Sequence, residues 1–445
     1  MKRLTMKRAT TIAIALTASS ALAQDCSWDL ETTPNPQGSL ILYGIDGIAG
    51  DNIWAAGKRY IFQLGDSQTL NYIARWDGTA WTEMTVPQPS QLRDFQSLSD
   101  VLAIDTDHAV AVGTYNPSSG SSLAQSMLWD GTDWELLLSP AYSGGSGFYG
   151  LGKAGEQVWG VGYRYSELPP PAALSYPMAA RFDGSNWDVV FVPPLAETGG
   201  RSTNYLHDIE GASENDAWAV GSAQETGTGG FGPAAMMVRW DGSEWSQYDL
   251  FPILQSTSFS SLQAIEVISS NDAWAAGYDY DISLQQTIPL IVHWDGSSWS
   301  NVPVPTFDET AELRSITARS ADDIYAAGTQ IDANGFPHAL ILHYNGSDWS
   351  VIPESELADF GTWFRAMTSV DGEVWAAGQS NDLSTGITQR KVDCTSCPSD
   401  LNNDGTLDFF DVSIFVNTQP DFDGSGTFDF FDVSAYLNAY SAGCP

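Results

Sequence analysis

The chain has 445 residues, with 18 basic against 55 acidic side chains for a net charge of −37, 43% hydrophobic residues and 17 tryptophans. An acidic field of that size repels nucleic acid and anionic membranes, and the apolar content excludes a disordered chain. The length suits one large closed repeat domain with a small module beside it, or several domains.

Lys2, Arg3, Lys7 and Arg8 precede an apolar run from Ala9 to Ala18 and the small-x-small site Ala21-Leu22-Ala23. This is the pattern of a secretory signal cleaved before Gln24. The run is short for a bilayer span, no later stretch is long and apolar enough to supply one, and Cys26 stands too far past the cut to be a lipid-modified first cysteine. Residues 1–23 are therefore expected to be removed. The mature chain, near −41 without its four leading basic residues, is expected to be secreted or held at the cell surface as a monomer without a membrane span.

A phrase then recurs along the chain: Trp54-Ala55-Ala56-Gly57, Val110-Ala111-Val112-Gly113, Trp159-Gly160-Val161-Gly162, Trp218-Ala219-Val220-Gly221, Trp274-Ala275-Ala276-Gly277, Tyr325-Ala326-Ala327-Gly328 and Trp375-Ala376-Ala377-Gly378. Successive glycines are 56, 49, 59, 56, 51 and 50 residues apart, a period that points to propeller blades or a solenoid. Each phrase follows an apolar Leu-x-x-Ile-like pair, such as Leu262 and Ile265, and a polar turn. After a variable loop comes an apolar strand ending in Trp-Asp-Gly, as at Trp240-Asp241-Gly242, and a last strand led by Trp. Four short strands separated by turn residues make a blade, and Asp-Gly between apolar runs is a hairpin signal.

The Trp-Asp-Gly phrase has one copy fewer. It occurs near residues 76, 129, 182, 240, 294 and 344, and the seventh copy is expected at Lys391-Val392-Asp393-Cys394, aligned with Arg239-Trp240-Asp241-Gly242. The missing Trp-led strand stands at the other end, where Asp25-Cys26-Ser27-Trp28 runs on to Pro34. The expected fold is all-β over residues 24–394: a seven-bladed β-propeller closed by pairing its N- and C-terminal strands, which removes open sheet edges. That register sets Cys26 and Cys394 across one hairpin turn, where a disulfide would contribute about 4 kcal/mol or more by loop entropy. The alternative pairs Cys394 with Cys397 and leaves Cys26 for Cys444.

The repeat resembles the Kelch and Asp-box propeller families. It shares with Kelch a glycine ending the second strand, then an apolar strand, an Asp-containing turn and a Trp. It lacks the Kelch glycine doublet, and its Asp-Gly is adjacent where the Asp-box has Asp-x-Gly. The resemblance implies architecture and no single activity. In such a propeller the second-to-third and blade-to-blade connections share one face. Here they carry the length variation, as between Gly162 and Arg181, so a ligand is expected on that face or at the central channel.

No catalytic residue stands out, and the chain is read as leaning away from enzymatic activity. His293 and His343 hold equivalent repeat positions and read as structural. His108, His207 and His338 are scattered without metal-ligand spacing. Asp208, Glu210, Asp308 and Glu309 could reach a channel mouth, but a solvated acidic face is the commoner reading. Arg314 and Arg365 sit at matching positions beside Leu313 and Phe364. They could form an anion clamp, although tunnel-lining residues paired with nearby acids are the plainer reading.

The composition changes abruptly at Cys397, after which eight Asp appear with no Glu, Lys or Arg up to Cys444. Two twelve-residue stretches, from Asp400 to Asp411 and from Asp421 to Asp432, fit calcium loops with oxygen ligands at positions 1, 3, 5, 9 and 12, a carbonyl at 7 and Gly at 6. The candidate ligands are Asp400, Asn402, Asp404, Thr406 carbonyl, Asp408 and Asp411, then Asp421, Asp423, Ser425, Thr427 carbonyl, Asp429 and Asp432, for two calcium ions. Each loop runs into an apolar segment with helical spacing, and no helix-length segment precedes either. The duplicated loop and helix, with Phe-Phe-Asp-Val-Ser and the closing Gly443-Cys444, resemble the bacterial GC-type dockerins. Residues 395–445 are thus expected to form a small α-helical, dockerin-like module.

The resemblance implies a cohesin-like or other cell-surface anchoring partner. In dockerins, positions 10 and 11 contact that partner, and here they are Phe409, Phe410, Phe430 and Phe431. At least one Phe of each repeat is expected to face the module's own core, and a Cys397–Cys444 disulfide would clasp its ends. The expected function is a secreted, non-catalytic binding propeller anchored through this module, with a glycan or a surface protein as ligand. The alternatives are a polysaccharide-active enzyme with its site on the variable-loop face, and a structural surface scaffold.

Overall fold

The computed structural model describes residues 28–391 except 36–37, 64–65, 90–94, 118–119, 167–174, 196–200, 227–232, 251, 255–258, 354–356, 358–361 and 381–385, together with 401, 409–418, 428 and 433–437. The signal segment 1–23, the four cysteines Cys26, Cys394, Cys397 and Cys444, and the loop residues Asp400, Asn402, Asp404, Thr406, Asp408, Asp421, Asp423, Ser425, Thr427, Asp429 and Asp432 lie outside the described residues. So do Phe430, Phe431 and the side chains of Phe409 and Phe410.

Every aromatic-Ala-Ala-Gly phrase is the buried centre of a second strand, as in Asn52–Gln63 and Asp272–Asp281. Such a strand has an antiparallel neighbour on each side and a packed layer on both faces. Its residues are therefore apolar without alternation, and alanine keeps the layers close. Among the described residues six sheets contain the strands, five of four strands and one of eight. The larger one is two four-stranded sets joined by a parallel bridge between Ala154 and Gly211. Glycine makes that approach feasible, since a Cβ on Gly152 would overlap the Ile209 carbonyl.

Within each set the strands run inner, second, third and outer. The inner strands are Ser39–Ala49, Phe95–Ala103, Ser146–Ala154, Arg201–Ser213, Ser261–Ser269, Ala311–Ser320 and Trp363–Val370. The third and outer strands meet at a four-residue turn, as where Trp76 pairs with Trp81 across Asp77 to Ala80. There Asp77 Oδ1 accepts the N–H groups of Thr79 and Ala80, both at 2.9 Å, while Gly78 takes φ +90°. The same acceptor and glycine recur at Asp130, Asp183, Asp241, Asp295 and Asn345, which accounts for the Asp-Gly phrase.

Sets are joined by aromatic wedges. Trp54 lies 5.4 and 5.3 Å from Trp129 and Trp134 of the next set, and Trp159, Trp218 and Trp274 meet the corresponding pairs further on. In the last set, Trp375 packs 5.3 and 5.8 Å from Trp76 and Trp81 of the first. These perpendicular and tilted contacts bury large apolar areas and recur at the same repeat position, giving one propeller-like all-β arrangement.

The outer strand of the last set comes from the opposite end of the chain: Trp28–Thr32 pairs antiparallel with Gly386–Lys391. The register corrects the sequence alignment by one residue. Lys391, not Val392, faces Trp28 as Trp240 faces Trp245. Arg390 takes the Arg239 position, its guanidinium 5.4 Å from the Trp375 ring where Arg239 is 4.9 Å from Trp218. A slip of one residue would turn that guanidinium to the other face and lose the contact. Lys391 is 5% exposed, with its Nζ 5.1 Å above the Tyr325 ring.

Residues beyond Val392 belong to a second compact unit. Its helix Phe409–Thr418 includes Phe415, which stacks on Tyr436 at 4.0 Å, with Phe428 6.0 Å away. Asp411 is buried and its Oδ1 accepts the Leu401 N–H at 2.8 Å, joining two ends of the first acidic loop. Among the described residues no helix is long and apolar enough to cross a membrane.

Candidate functional site

The glycine that ends each second-strand phrase shapes the inner strand opposite. Gly57 faces Leu42, and a Cβ there would overlap the Ile41 carbonyl oxygen; the equivalent clash recurs at Gly113, Gly162, Gly221, Gly277, Gly328 and Gly378. Immediately after the residue so faced, every inner strand carries a β-bulge. A bulge re-aims one side chain. The bulged residues are Tyr43, Ser99, Tyr149, His207, Gln263, Arg314 and Arg365, and all line one cavity of about 620 Å³.

The Leu-x-x-Ile pair thus frames the bulged residue and the next, which lines the cavity wherever it is not glycine. The second ring is Gly44, Asp100, Gly150, Asp208, Ala264, Ser315 and Ala366, and two residues on stand Asp46, Glu210, Glu266 and Thr368. Because the strands alternate in direction, the bulged ring lies toward the end of the inner strands that carries the variable connections. The carboxylates lie deeper, toward the tight turns.

The deep carboxylates tie neighbouring inner strands together. Asp46 Oδ2 accepts Ala103 N–H at 2.9 Å, Asp100 Oδ2 accepts Leu151 N–H at 2.8 Å, Asp208 Oδ2 accepts Ile265 N–H at 2.9 Å and Glu210 Oε2 accepts Val267 N–H at 2.8 Å. The Thr368 hydroxyl, from the last set, lies 3.2 Å from Asp46 Oδ1 in the first. Lys153 Nζ donates to the carbonyls of Ala103 and Ile104, both at 2.9 Å.

Burial disfavours the charged form and outweighs these hydrogen bonds. It pushes the Asp46 carboxyl up to about 6 and Asp208 to about 7, and raises Asp100 well above the usual range with help from the Asp208 charge. Burial, and then the Asp208 charge, push Glu266 to about 8; burial and then Glu266 hold Glu210 well above its ordinary value. Among the described residues no group of three acidic, histidine or cysteine side chains is placed to hold a metal ion.

The mouth has two halves. On one side Tyr149, Tyr163, Tyr165 and Tyr205 cluster with ring centroids 5.2 to 6.0 Å apart, and His207 lies 5.8 Å from Tyr149. Burial lowers the His207 pKa to about 4, overcoming its bond to the Leu262 carbonyl, and the Arg314 charge lowers it further, so the ring is neutral at pH 7. That carbonyl, 2.9 Å from Nδ1, can only accept, so the proton sits on Nδ1 and Nε2 is the acceptor. On the other side are Arg314, Arg365 and Tyr43, and behind Tyr43 stands Lys58, outside the cavity lining, with its Nζ 5.2 Å from the Tyr43 ring centroid.

Of the residues singled out in the sequence, Arg314 and Arg365 both reach the cavity. Arg314 is paired as expected, donating to Glu312 Oε1 at 2.6 and 3.0 Å and to Gln263 Oε1 at 3.1 Å. Arg365 has no carboxylate partner among the described residues and sits 5.0 Å from the Tyr43 ring and 5.6 Å from the Trp363 ring. Asp208 and Glu210 are half-buried and line the cavity rather than a solvated outer face, because their strand is innermost, whereas Asp308 and Glu309 are exposed. His293 and His343 are structural, bonded to Asp272 and Asp323 at 2.9 and 2.7 Å and stacked on Trp274 and Tyr325. His338 lies 3.5 Å from Asp332 and His108 2.9 Å from Asp105. Sequence reasoning missed Tyr43, Tyr149, His207 and Asp46 as cavity residues; their signal was their place inside, or just after, the Leu-x-x-Ile pair.

The chain is thus an all-β, propeller-like protein with a polar cavity where its inner strands converge. No protein-family model and no curated protein matches it. Among solved structures it is similar to YCF48 bound to D1 peptide, at 12% identity and TM-score 0.49 over 82% of this chain and 97% of that one. It is also similar to the polysaccharide lyase ulvanlyase bound to -[GlcA(1-4)Rha3S]-, at 10% identity and TM-score 0.47 over 82% and 93%. A third is Trypanosoma rangeli sialidase in complex with sialic acid, at 12% identity and TM-score 0.45 over 83% and 58%.

Proposed function

We propose that this chain is a secreted, non-catalytic binding protein, built as a closed seven-bladed β-propeller that holds a glycan at the bulge-lined mouth of its central cavity. A dockerin-like module that binds two calcium ions anchors it to a cohesin-like surface partner. One observation carries the binding reading: the deep carboxylates are occupied in holding inner strands together, while the bulged ring presents tyrosines, a neutral imidazole and guanidinium groups. Aromatic faces with polar edges suit a polyhydroxylated ring. For the module, two tandem loops with oxygen donors at calcium spacing support the assignment, with Asp411 at the twelfth position of the first.

The alternative, a polysaccharide-active enzyme, draws on Asp208 and Glu266, whose pKa values of about 7 and 8 suit a general acid at neutral pH. An array of soluble polysaccharides, assayed with the calcium-loaded chain for both retention and chain cleavage, separates the readings. Retention without cleavage, weakened about tenfold by Tyr149→Ala, is expected, a loss of about 1.4 kcal/mol. Cleavage would establish the enzyme, and neither retention nor cleavage would leave the structural scaffold.

A further inference from the structure

The mouth of the cavity is chemically lopsided. The bulged positions of the last two sets and the first are consecutive around it: Arg314, Arg365 and Tyr43, with Lys58 beside Tyr43. This cationic side stands out in a chain with only 18 basic residues against 55 acidic ones.

Arg314 and Arg365 occupy the same repeat position but differ in their surroundings. Glu312 and Gln263 take up the Arg314 donors. The Arg365 Nε is buried and has no hydrogen-bond partner, and the guanidinium is flanked by the Tyr43 and Trp363 rings rather than by an acid. Burial lowers the Arg365 pKa and outweighs the opposing effect of Tyr43, while the Arg314 charge lowers it and Glu312 and Tyr60 raise it; an added negative charge would favour the charged guanidinium. An unmet buried donor on an always-charged group is costly unless a ligand meets it. The deeper carboxyls oppose an anion less than free acids would: burial raises Asp100, Glu210 and Glu266, the last to about 8, and raises Asp46 and Asp208 to about 6 and 7.

We infer that Arg365 is the specificity residue of the mouth and binds the carboxylate of an acidic saccharide, with Arg314 and Lys58 as supporting charges and Tyr43 and Trp363 against the sugar ring. A carboxylate fits because a guanidinium edge offers two parallel N–H donors in one plane, matching two oxygens on one carbon. This rests on the binding reading above and names the class of ligand within it.

The test uses the full calcium-loaded chain and three probes: an oligouronate, the same oligosaccharide with its carboxyls reduced to alcohols, and free glucuronate. The oligouronate is expected to bind at least tenfold more tightly than its reduced form, and the gap should narrow as salt is raised. Arg365→Gln should abolish the gap, and Arg365→Lys should restore part of it. Equal affinity for the two oligosaccharides, or a gap that survives in Arg365→Gln, overturns the inference. Free glucuronate separates the two levels. If it binds in an Arg365-dependent way while neither oligosaccharide does, the carboxylate site stands and the glycan reading falls. Tighter binding of a sulfated, carboxyl-free oligosaccharide than of the oligouronate overturns the carboxylate assignment.

Discussion

Asp46 illustrates how one side chain deep in the cavity can make stability depend on pH. Its carboxyl titrates near 6 in the folded protein against an ordinary value of 3.8, and Asp208 and Glu266 titrate near 7 and 8. The folded state therefore holds more protons than the unfolded one between about pH 4 and pH 8, and stability falls as pH rises through that window. Below it the trend reverses. The hairpin carboxylates Asp130 and Asp295, held near 2 mainly by turn N–H groups and by the hydroxyl of Thr132 or Ser297, lose their stabilising effect as they protonate. Asp46→Asn keeps an acceptor for the Ala103 N–H and reverses the Thr368 bond, its amide donating to the hydroxyl that now donates to Asp46. It is expected to raise stability at pH 8 by up to about 3 kcal/mol and to leave it unchanged at pH 4. Thermal unfolding at the two pH values checks this, and an equal shift at both would exclude charge as the cause. None of this was legible from Asp46 in the sequence, where it is one acid among 55 acidic residues.

At the scale of strands, the seam between Trp28–Thr32 and Gly386–Lys391 is the most informative element. The count of phrases, seven against six, pointed to an N-terminal strand completing the last set. The pairing register needed the Arg390 contact with Trp375, which a period-two pattern with a missing tryptophan could not supply. Cys26 lies two residues before Trp28, and Cys394 three beyond Lys391, so both cysteines flank the paired segment. A Cys26–Cys394 disulfide is expected from peptide mapping under non-reducing conditions, and a Cys394–Cys397 peptide in its place would rule out this staple. The bulge belongs to the same scale. The repeated glycine was readable as a strand ending, but its clash with the opposite carbonyl appears only when the two strands are paired.

For the whole molecule, the division into residues 28–392 and a second compact unit sets a further expectation. Carboxylate loops that close around calcium lose their structure when it is removed, because the acidic side chains then repel one another. Chelation is expected to expose the region after Cys397 to proteolysis while the tryptophan near-UV signal of the repeat domain stays constant. Unchanged cleavage of that region in chelator would count against the calcium assignment.

The sequence by itself determined the repeat, its strand order and the hairpin turns, because these depend on local spacing and on residues that recur in nearly every copy. It also placed Arg314 and Arg365 at matching positions. Only the tertiary structure decided which side chains meet in the cavity, since seven inner strands separated by about fifty residues each contribute one bulged residue to it. Only there does Arg314 find Glu312 and Gln263 while Arg365 is left with aromatic neighbours and an unmatched donor. The physical reason is that charge pairing and burial depend on distance through space, and distance along the chain carries no record of them.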